Sequence, residues 1–362
     1  MDQTTLDKIM ALRKELHTSA EPSGEERKTK EILERFLREN TTLRLADKGK
    51  WFFAAHEEGD FLPNIAFRAD MDALTLPSGE ASHLCGHDGH SATLAGLGLL
   101  LEGKTLGKNI FLLFQHAEET GLGGADCRPF IMENKIDEIY AYHNIPGWPE
   151  GSVLLRPGTF ACSSRGMTVR FEGRPSHAAY PEAGINPAFA AAALIAALPG
   201  LLTSEQYRGM VLSTLVGAEI GSKSFGTAAG KAEVYLTLRA WHEEDLDKLQ
   251  STIESISRQA AERDGAEVSF AFCEEFPETV NDESCLCKVA DACAKLGLKT
   301  EAPPEPFRWS EDFGHYLKDA KGAMYGIGDG TEYPQLHTED FSFNDRIIAT
   351  AVGVFEALVR QK

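Results

Sequence analysis

The sequence predicts an α/β chain: a mostly parallel sheet with helices on both faces, into which a ferredoxin-like α+β domain is inserted. Three observations carry this. Short apolar runs alternate with amphipathic stretches of helical spacing over residues 1–165, the pattern of parallel strands joined by crossover helices. Residues 166–275 follow a different order, β-α-β-β-α-β, which is that of a ferredoxin-like unit. From residue 276 to 362 the first pattern returns. The expected division is therefore a larger domain from residues 1–165 and 276–362, with a smaller domain inserted at 166–275. The length of 362 residues fits two domains.

The elements follow in order. Leu6, Ile9, Met10, Leu12 and Leu16 share one face of a first helix, with Thr4 or Thr5 as its cap. Ser23-Gly24-Glu25-Glu26 reads as a capping box for a second helix, whose inner face carries Ile32, Leu33, Phe36 and Leu37. Strands are expected at 51–55, at 65–68 running into Asp70, at 109–115 and at 138–142; a helix starts near Ser91. In the insert, strands are expected at 167–171, 211–219, 232–240 and 267–272, and helices at 186–198 and 243–263. A further helix spans 282–296.

Composition narrows the function. The chain is 43% hydrophobic and 25% charged, ordinary for a globular protein with a sizeable core. A formal net charge of −19 repels phosphate backbones and anionic lipid, so neither nucleic acid nor membrane is an expected partner. The N-terminus lacks the layout of a signal peptide. No apolar run reaches the roughly 18 residues needed to span a bilayer. The seven cysteines are odd in number and scattered, which argues for a reducing compartment and a cytoplasmic location.

Five segments concentrate metal-ligand residue types: Asp70-Met71-Asp72, Cys85-Gly86-His87, Glu118-Glu119, His143 and His337. Taken singly, each has a plain structural explanation. His143 would be a hydrogen-bonded core residue, Cys85 a small buried hydrophobe, Asp70 and Asp72 turn formers, and Glu118-Glu119 a solvated helix start. The placement of four of the five just after expected strands favours a site, because open α/β sheets gather their chemistry there. Thiolate, imidazole and carboxylate together suit zinc or a late first-row metal better than magnesium or calcium. The donors outnumber what one catalytic metal needs, so two ions about 3.5–4 Å apart are expected. Of two adjacent carboxylates, one can bind metal while the other stays free as a base.

At these residues the sequence resembles the metallopeptidase family of hippurate hydrolases, auxin-conjugate (N-acyl-amino-acid) hydrolases and N-acetyl-diaminopimelate deacetylases, related to aminoacylases and zinc carboxypeptidases. The matching motifs are LRKELHTSAEPSGEE, RADMDAL, CGHDGH, AEE, GxxxHAAxPxxGxNP at 173–187, EDF at 311–313 and the late His337, in order over nearly the whole chain. CGHDGH followed by AEE at this distance is the most specific pairing. The resemblance implies a metal-dependent amidohydrolase that cleaves the amide bond of N-acyl amino acids or similar small conjugates. It implies Cys85, His87, Glu119, His143 and His337 as ligands of two divalent metals, zinc or manganese foremost, with cobalt or nickel as alternatives. Glu118 would be the general base toward a metal-activated water, and Asp72 a supporting carboxylate. His177 would contact the substrate or the developing oxyanion, with Asn186 in the same pocket. Arg239 would hold a substrate carboxylate, since its guanidinium fits that geometry. A homodimer through the inserted domain is a family expectation.

There are departures from the family pattern. The stretch from Asp72 to Cys85 is short, His116 stands where proline is usual, and His83 is an extra imidazole. Rival readings are a dipeptidase or carboxypeptidase using the same dinuclear site, a non-catalytic metal-holding binding or scaffold protein, and a structural zinc protein. Glu118 argues against the second, because a pure metal holder has no use for a free base. The number of donors argues against the third.

Overall fold

A computed structural model describes residues 1–202 and 204–361. Along the chain, α1 (Gln3–His17) and α2 (Arg27–Asn40) precede β1 (Arg44–Asp47), β2 (Phe52–His56) and β3 (Asn64–Asp70). Then come α3 (His87–Leu101), β4 (Asn109–Gln115), β5 (Glu138–Pro146) and β6 (Val153–Leu154). The next stretch holds β7 (Ser163–Glu172), α4 (Ala188–Ala197), β8 (Val211–Ile220), β9 (Lys231–Ala240), α5 (Glu243–Asp264) and β10 (Glu267–Phe276). The chain closes with α6 (Glu283–Leu296), β11 (Thr300–Glu301), β12 (Lys321–Gly330) and α7 (Ile348–Val359).

Two compact units result. One comprises residues 1–160, 279–306 and 312–362; the other comprises 161–278 and 307–311. In the first, an eight-stranded sheet runs β1-β2-β4-β3-β5-β12-β6-β11. Its central strands β4, β3, β5 and β12 are mutually parallel. They are buried on both sides, so they read as continuous apolar runs such as Ile110–Phe114. One face packs α1, α2, α3, α6 and α7 through Ile9, Leu33, Leu94, Val289, Val352 and Phe355. On the other face Phe53 and Phe111 meet Phe130, which sits on a short helix, Pro129–Glu133. From β3 the chain crosses to β4 on one side and later to β5 on the other, so the strand order reverses at the carboxyl end of β3, where such sheets form sites.

The second unit is an antiparallel sheet, β8-β9-β7-β10. Its apolar face, with Val169, Phe171, Val234, Leu236 and Leu238, packs on Leu194, Leu246, Leu249 and Ile253 of α4 and α5. The order is that of a ferredoxin-like fold. Acidic Glu243, Glu244 and Asp245 open α5, and Gly265 in the left-handed region (φ 70°) ends it, both in keeping with the helix dipole and C-terminal capping.

Three local expectations are corrected. Asp2, not Thr4 or Thr5, caps α1, its side chain accepting from Thr5 N at 2.8 Å. Ser23 and Glu26 form no capping box: α2 begins at Arg27 with no side-chain cap, and Glu26 is turned inward. Helix α3 starts at His87 rather than near Ser91. The polar His87-Asp88-Gly89-His90 turn masks the helical period there, because its side chains are held by buried partners instead of solvent.

Candidate metal centre

Each segment singled out in the sequence ends at the carboxyl edge of the parallel strands. Asp72 follows β3, Glu118 and Glu119 follow β4, His143 lies near the end of β5, and His337 follows β12. Cys85 and His87 flank Gly86, which holds φ 96° and whose position leaves no room for a Cβ, since one would lie 2.4 Å from Asn144 Oδ1. Only glycine allows the chain to turn there into α3.

The expected ligands converge. Cys85 Sγ lies 3.5 Å from His143 Nε2 and 3.3 Å from His337 Nε2. His87 Nε2 lies 3.8 Å from Glu119 Oε1 and 3.9 Å from Glu118 Oε2, and His337 Nε2 lies 3.6 Å from Glu119 Oε1. Cys85, His87 and His143 form one group of mutually close donors; Cys85, Glu119 and His337 form a second. Both groups share Cys85.

Asp72 is fully buried. His87 Nδ1 donates to its Oδ1 at 2.9 Å, and Glu119 N donates to its Oδ2 at 3.0 Å. One carboxylate thus fixes the tautomer of His87, presenting Nε2 to the cluster, and holds the backbone of Glu119. His143 Nδ1 likewise donates to the carbonyl of Asn144 at 2.7 Å, leaving Nε2 to face Cys85.

The donor set fits a divalent cation. His87 Nε2 and Glu119 Oε1 are buried and carry no hydrogen bond, an arrangement that is costly unless something else meets them. Burial pushes Glu119 up to about 7 and the Cys85 thiol well above its ordinary value. Burial, with His90 adding to it, pushes His143 well down, which keeps the imidazole neutral. Burial alone would lower His87 too, but the carboxylate of Asp70 and the hydrogen bond to Asp72 outweigh it. A cation at this point stabilises thiolate and carboxylate together.

A ring of buried polar residues supports the cluster; among them only Asp70 stood in a segment singled out for its metal-ligand types. Arg68 donates to Asp70, Gln115 and Asp312 at 2.6–2.8 Å. Asp312 of the EDF motif also accepts from Gln115 Nε2 and from Gly124 N at 2.6 Å. Asp312 N donates to Glu118 Oε1 at 3.4 Å. His90 bridges Asp70 and Asn144 at 2.7 Å each. Asp70, His90 and Asp312 stand inside motifs, so motif membership was a usable signal. Arg68 opens the RADMDAL motif and carried the same signal, whereas Gln115 carried none beyond its place at a strand end.

The two unusual imidazoles stand outside the donor groups. His83 is buried with neither nitrogen hydrogen-bonded, its ring 6.4 Å from that of His17. His116 Nε2 lies 3.3 Å from an oxygen of Asp126. The remaining expected residues belong to the second unit. His177 is exposed and its Nδ1 accepts from Ala179 N at 3.0 Å. Asn186 Oδ1 accepts from Ala188 N at 3.0 Å, a local turn bond ahead of α4, whose N-cap position is Pro187. Arg239, on β9, donates from Nη1 to Ser310 Oγ at 2.9 Å and to the carbonyl of Arg308 at 3.1 Å.

Comparison with known proteins shows the family and the fold. The profile of peptidase family M20/M25/M40 matches residues 66–361. The N-acetyldiaminopimelate deacetylase of Exiguobacterium sibiricum is 27% identical, over 98% of this chain and 100% of its own. The hippurate hydrolase of Campylobacter jejuni is 27% identical, over 83% of this chain and 82% of its own. Among solved structures, the Bacillus subtilis YXEP protein, described as a dinuclear metal binding peptidase, superposes with a TM-score of 0.83 at 24% identity, covering 99% of this chain and 98% of that one. The chain belongs to peptidase family M20/M25/M40, as a metal-binding hydrolase of amide C–N bonds.

Proposed function

We propose that the protein cleaves the amide bond of an N-acyl amino acid or a similar small conjugate. Cys85, His87, Glu119, His143 and His337 would hold two divalent cations, zinc or manganese foremost. Such cations, when bound, acidify water and polarise a carbonyl oxygen. The single observation that carries the reading is the pairing of Glu118 with Glu119. Glu119 groups with Cys85 and His337, and both carboxylates group with His87; Glu118, 5% exposed, has its Oε1 receiving the amide of Asp312, and it is the one we assign as the base.

Glu118 accepts the proton of the attacking water through Oε2, which lies 3.9 Å from His87 Nε2, and later hands it to the leaving amine. A base within reach of both atoms serves both steps. The products are a carboxylic acid and an amino acid. The names of the relatives, an N-acetyldiaminopimelate deacetylase and a hippurate hydrolase, support an N-acyl amino acid over a free dipeptide. His177, Asn186 and Arg239 are retained as proposed substrate contacts on the family resemblance, and a homodimer through the inserted unit as the proposed assembly.

The test is Glu118→Gln, which keeps the shape and removes the base. Turnover of N-acetyl and N-benzoyl amino acids should fall about 10²–10⁴-fold, the usual share of general-base catalysis, with metal content by mass spectrometry unchanged. A variant that keeps its activity removes Glu118 from the mechanism. Faster hydrolysis of free dipeptides than of N-acyl amino acids by the wild type would favour the dipeptidase reading.

A further inference from the structure

Glu26 is remote in sequence from every expected ligand, yet its carboxylate lies beneath the Glu118 loop. It is 4% exposed. Its Oε1 accepts from Gly24 N at 2.6 Å and from Ala117 N at 2.8 Å. Ala117 immediately precedes Glu118 and holds φ 50°, in the left-handed region that a residue with a Cβ adopts only when its surroundings hold it there. Just beyond, Gly123 packs against the carbonyl of His116, where a Cβ would lie 1.6 Å away. Neighbouring ties hold the same loop: Asp72 takes the amide of Glu119 and Asp312 that of Gly124. Glu26 supplies the tie at the strained residue itself. It does so at the cost of burying a carboxyl group and without capping α2, the helix it precedes.

We propose that Glu26 is a positioning residue for amide hydrolysis, holding the left-handed Ala117 peptide and through it the aim of Glu118 and Glu119. This rests on the reading of Glu118 as the base. Burial pushes the Glu26 carboxyl up to about 7, with Asp72 adding to it, so a neutral group that keeps an acceptor oxygen is tolerated at this position.

Four variants test it: E26A, E26Q, the double variant E26A/A117G, and E118Q as reference. Each is followed by kcat, KM, melting temperature and metal affinity in chelator competition. E26A should lower kcat about 10- to 100-fold, the scale of a roughly 1 Å misplacement, with KM within about threefold. Metal affinity should also weaken, since Glu119 shares the loop. E26Q, whose amide oxygen can take both N–H groups, should stay within about threefold of wild type. Glycine at 117 removes the cost of the left-handed backbone, so E26A/A117G should recover a large part of the lost kcat. If E26A proves too unstable, E26M fills the space without an acceptor and takes its place. A group that merely stabilises the fold would lower the melting temperature and leave kcat and metal affinity unchanged well below it; that result overturns the proposal, as does a double variant no better than E26A. If E118Q is inactive while E26A equals wild type, only the positioning role falls; if E118Q is active, the reading of Glu118 falls first.

Discussion

Asp72 and Asp329 are both buried acids at the strand ends, and their surroundings drive them in opposite directions. Asp72 has hydrogen bonds from His87 and the amide of Glu119, which outweigh burial and lower its pKa. Asp329, at the end of β12, accepts one bond, from Asn144 Nδ2 at 2.8 Å, and its Oδ1 has no partner among the described residues. Burial therefore pushes it up to about 7. A carboxyl raised from 3.8 to about 7 keeps a proton in the folded state that the unfolded chain has released. Its contribution to stability is present at low pH and is lost as pH rises through that window. Asp329→Asn keeps an acceptor for Asn144 and cannot ionise. The stability of the variant relative to wild type should rise between pH 4 and pH 8 by up to about 4 kcal/mol, measured by urea denaturation at several pH values. A difference independent of pH would show that Asp329 does not titrate in this range. At this scale the ligand types were legible because thiol, imidazole and carboxylate at strand ends are chemically distinctive. Asp329 and Glu26 were not, because a buried carboxylate differs from a surface one only in what the fold brings beside it.

Among the elements, strand β8 has the most direct bearing on assembly. Among the described residues it pairs only with β9, at one edge of its sheet. Its sequence, VLSTLVGAEI, has neither lysine nor proline, the residues that usually guard an open edge. Leu215, Val216 and Ile220 are exposed, at 42%, 65% and 44%, and Phe225 in the following turn at 93%. The edge suits antiparallel pairing with a second copy of itself, giving the proposed homodimer two-fold symmetry. Sedimentation should find the wild type dimeric and Val216→Lys monomeric, since a charge on each copy would face its symmetry mate across the seam. A wild-type monomer at micromolar concentration would end that assembly. Elements with one clean period were legible in the sequence: β4 spans the expected 109–115, and α5 and α6 fall within a residue of expectation. Strand β5 was expected to stop at 142 because polar His143-Asn144 breaks the apolar run. The ladder continues regardless, pairing His143 with Gly326 and Asn144 with Ile327, and the two polar side chains find buried partners.

In the whole molecule, each unit has its own hydrophobic core. The sequence put the insert at 166–275; the compact unit spans 161–278 and takes back residues 307–311, a five-residue return with no compositional signal. The donor cluster lies wholly in the first unit, yet it draws on segments far apart in the chain: Cys85 and His87 at α3, Glu119 after β4, His143 in β5 and His337 near the C-terminus. A cation bound there links the N-terminal and C-terminal segments that the insert separates. Ligand binding to the folded state alone stabilises it by about 2.7 kcal/mol at a hundredfold excess over Kd. For a unit of this size that corresponds to roughly 5–10 °C in Tm. Calorimetry should therefore give two transitions for the metal-loaded protein. Chelation should lower the one belonging to the first unit by about that amount and leave the other in place, and added zinc or manganese should restore it. Cys85→Ser should reduce the shift, because it removes the donor common to both groups. A chelator that moves neither transition would mean that the converging thiol, imidazoles and carboxylate hold no ion in the native protein.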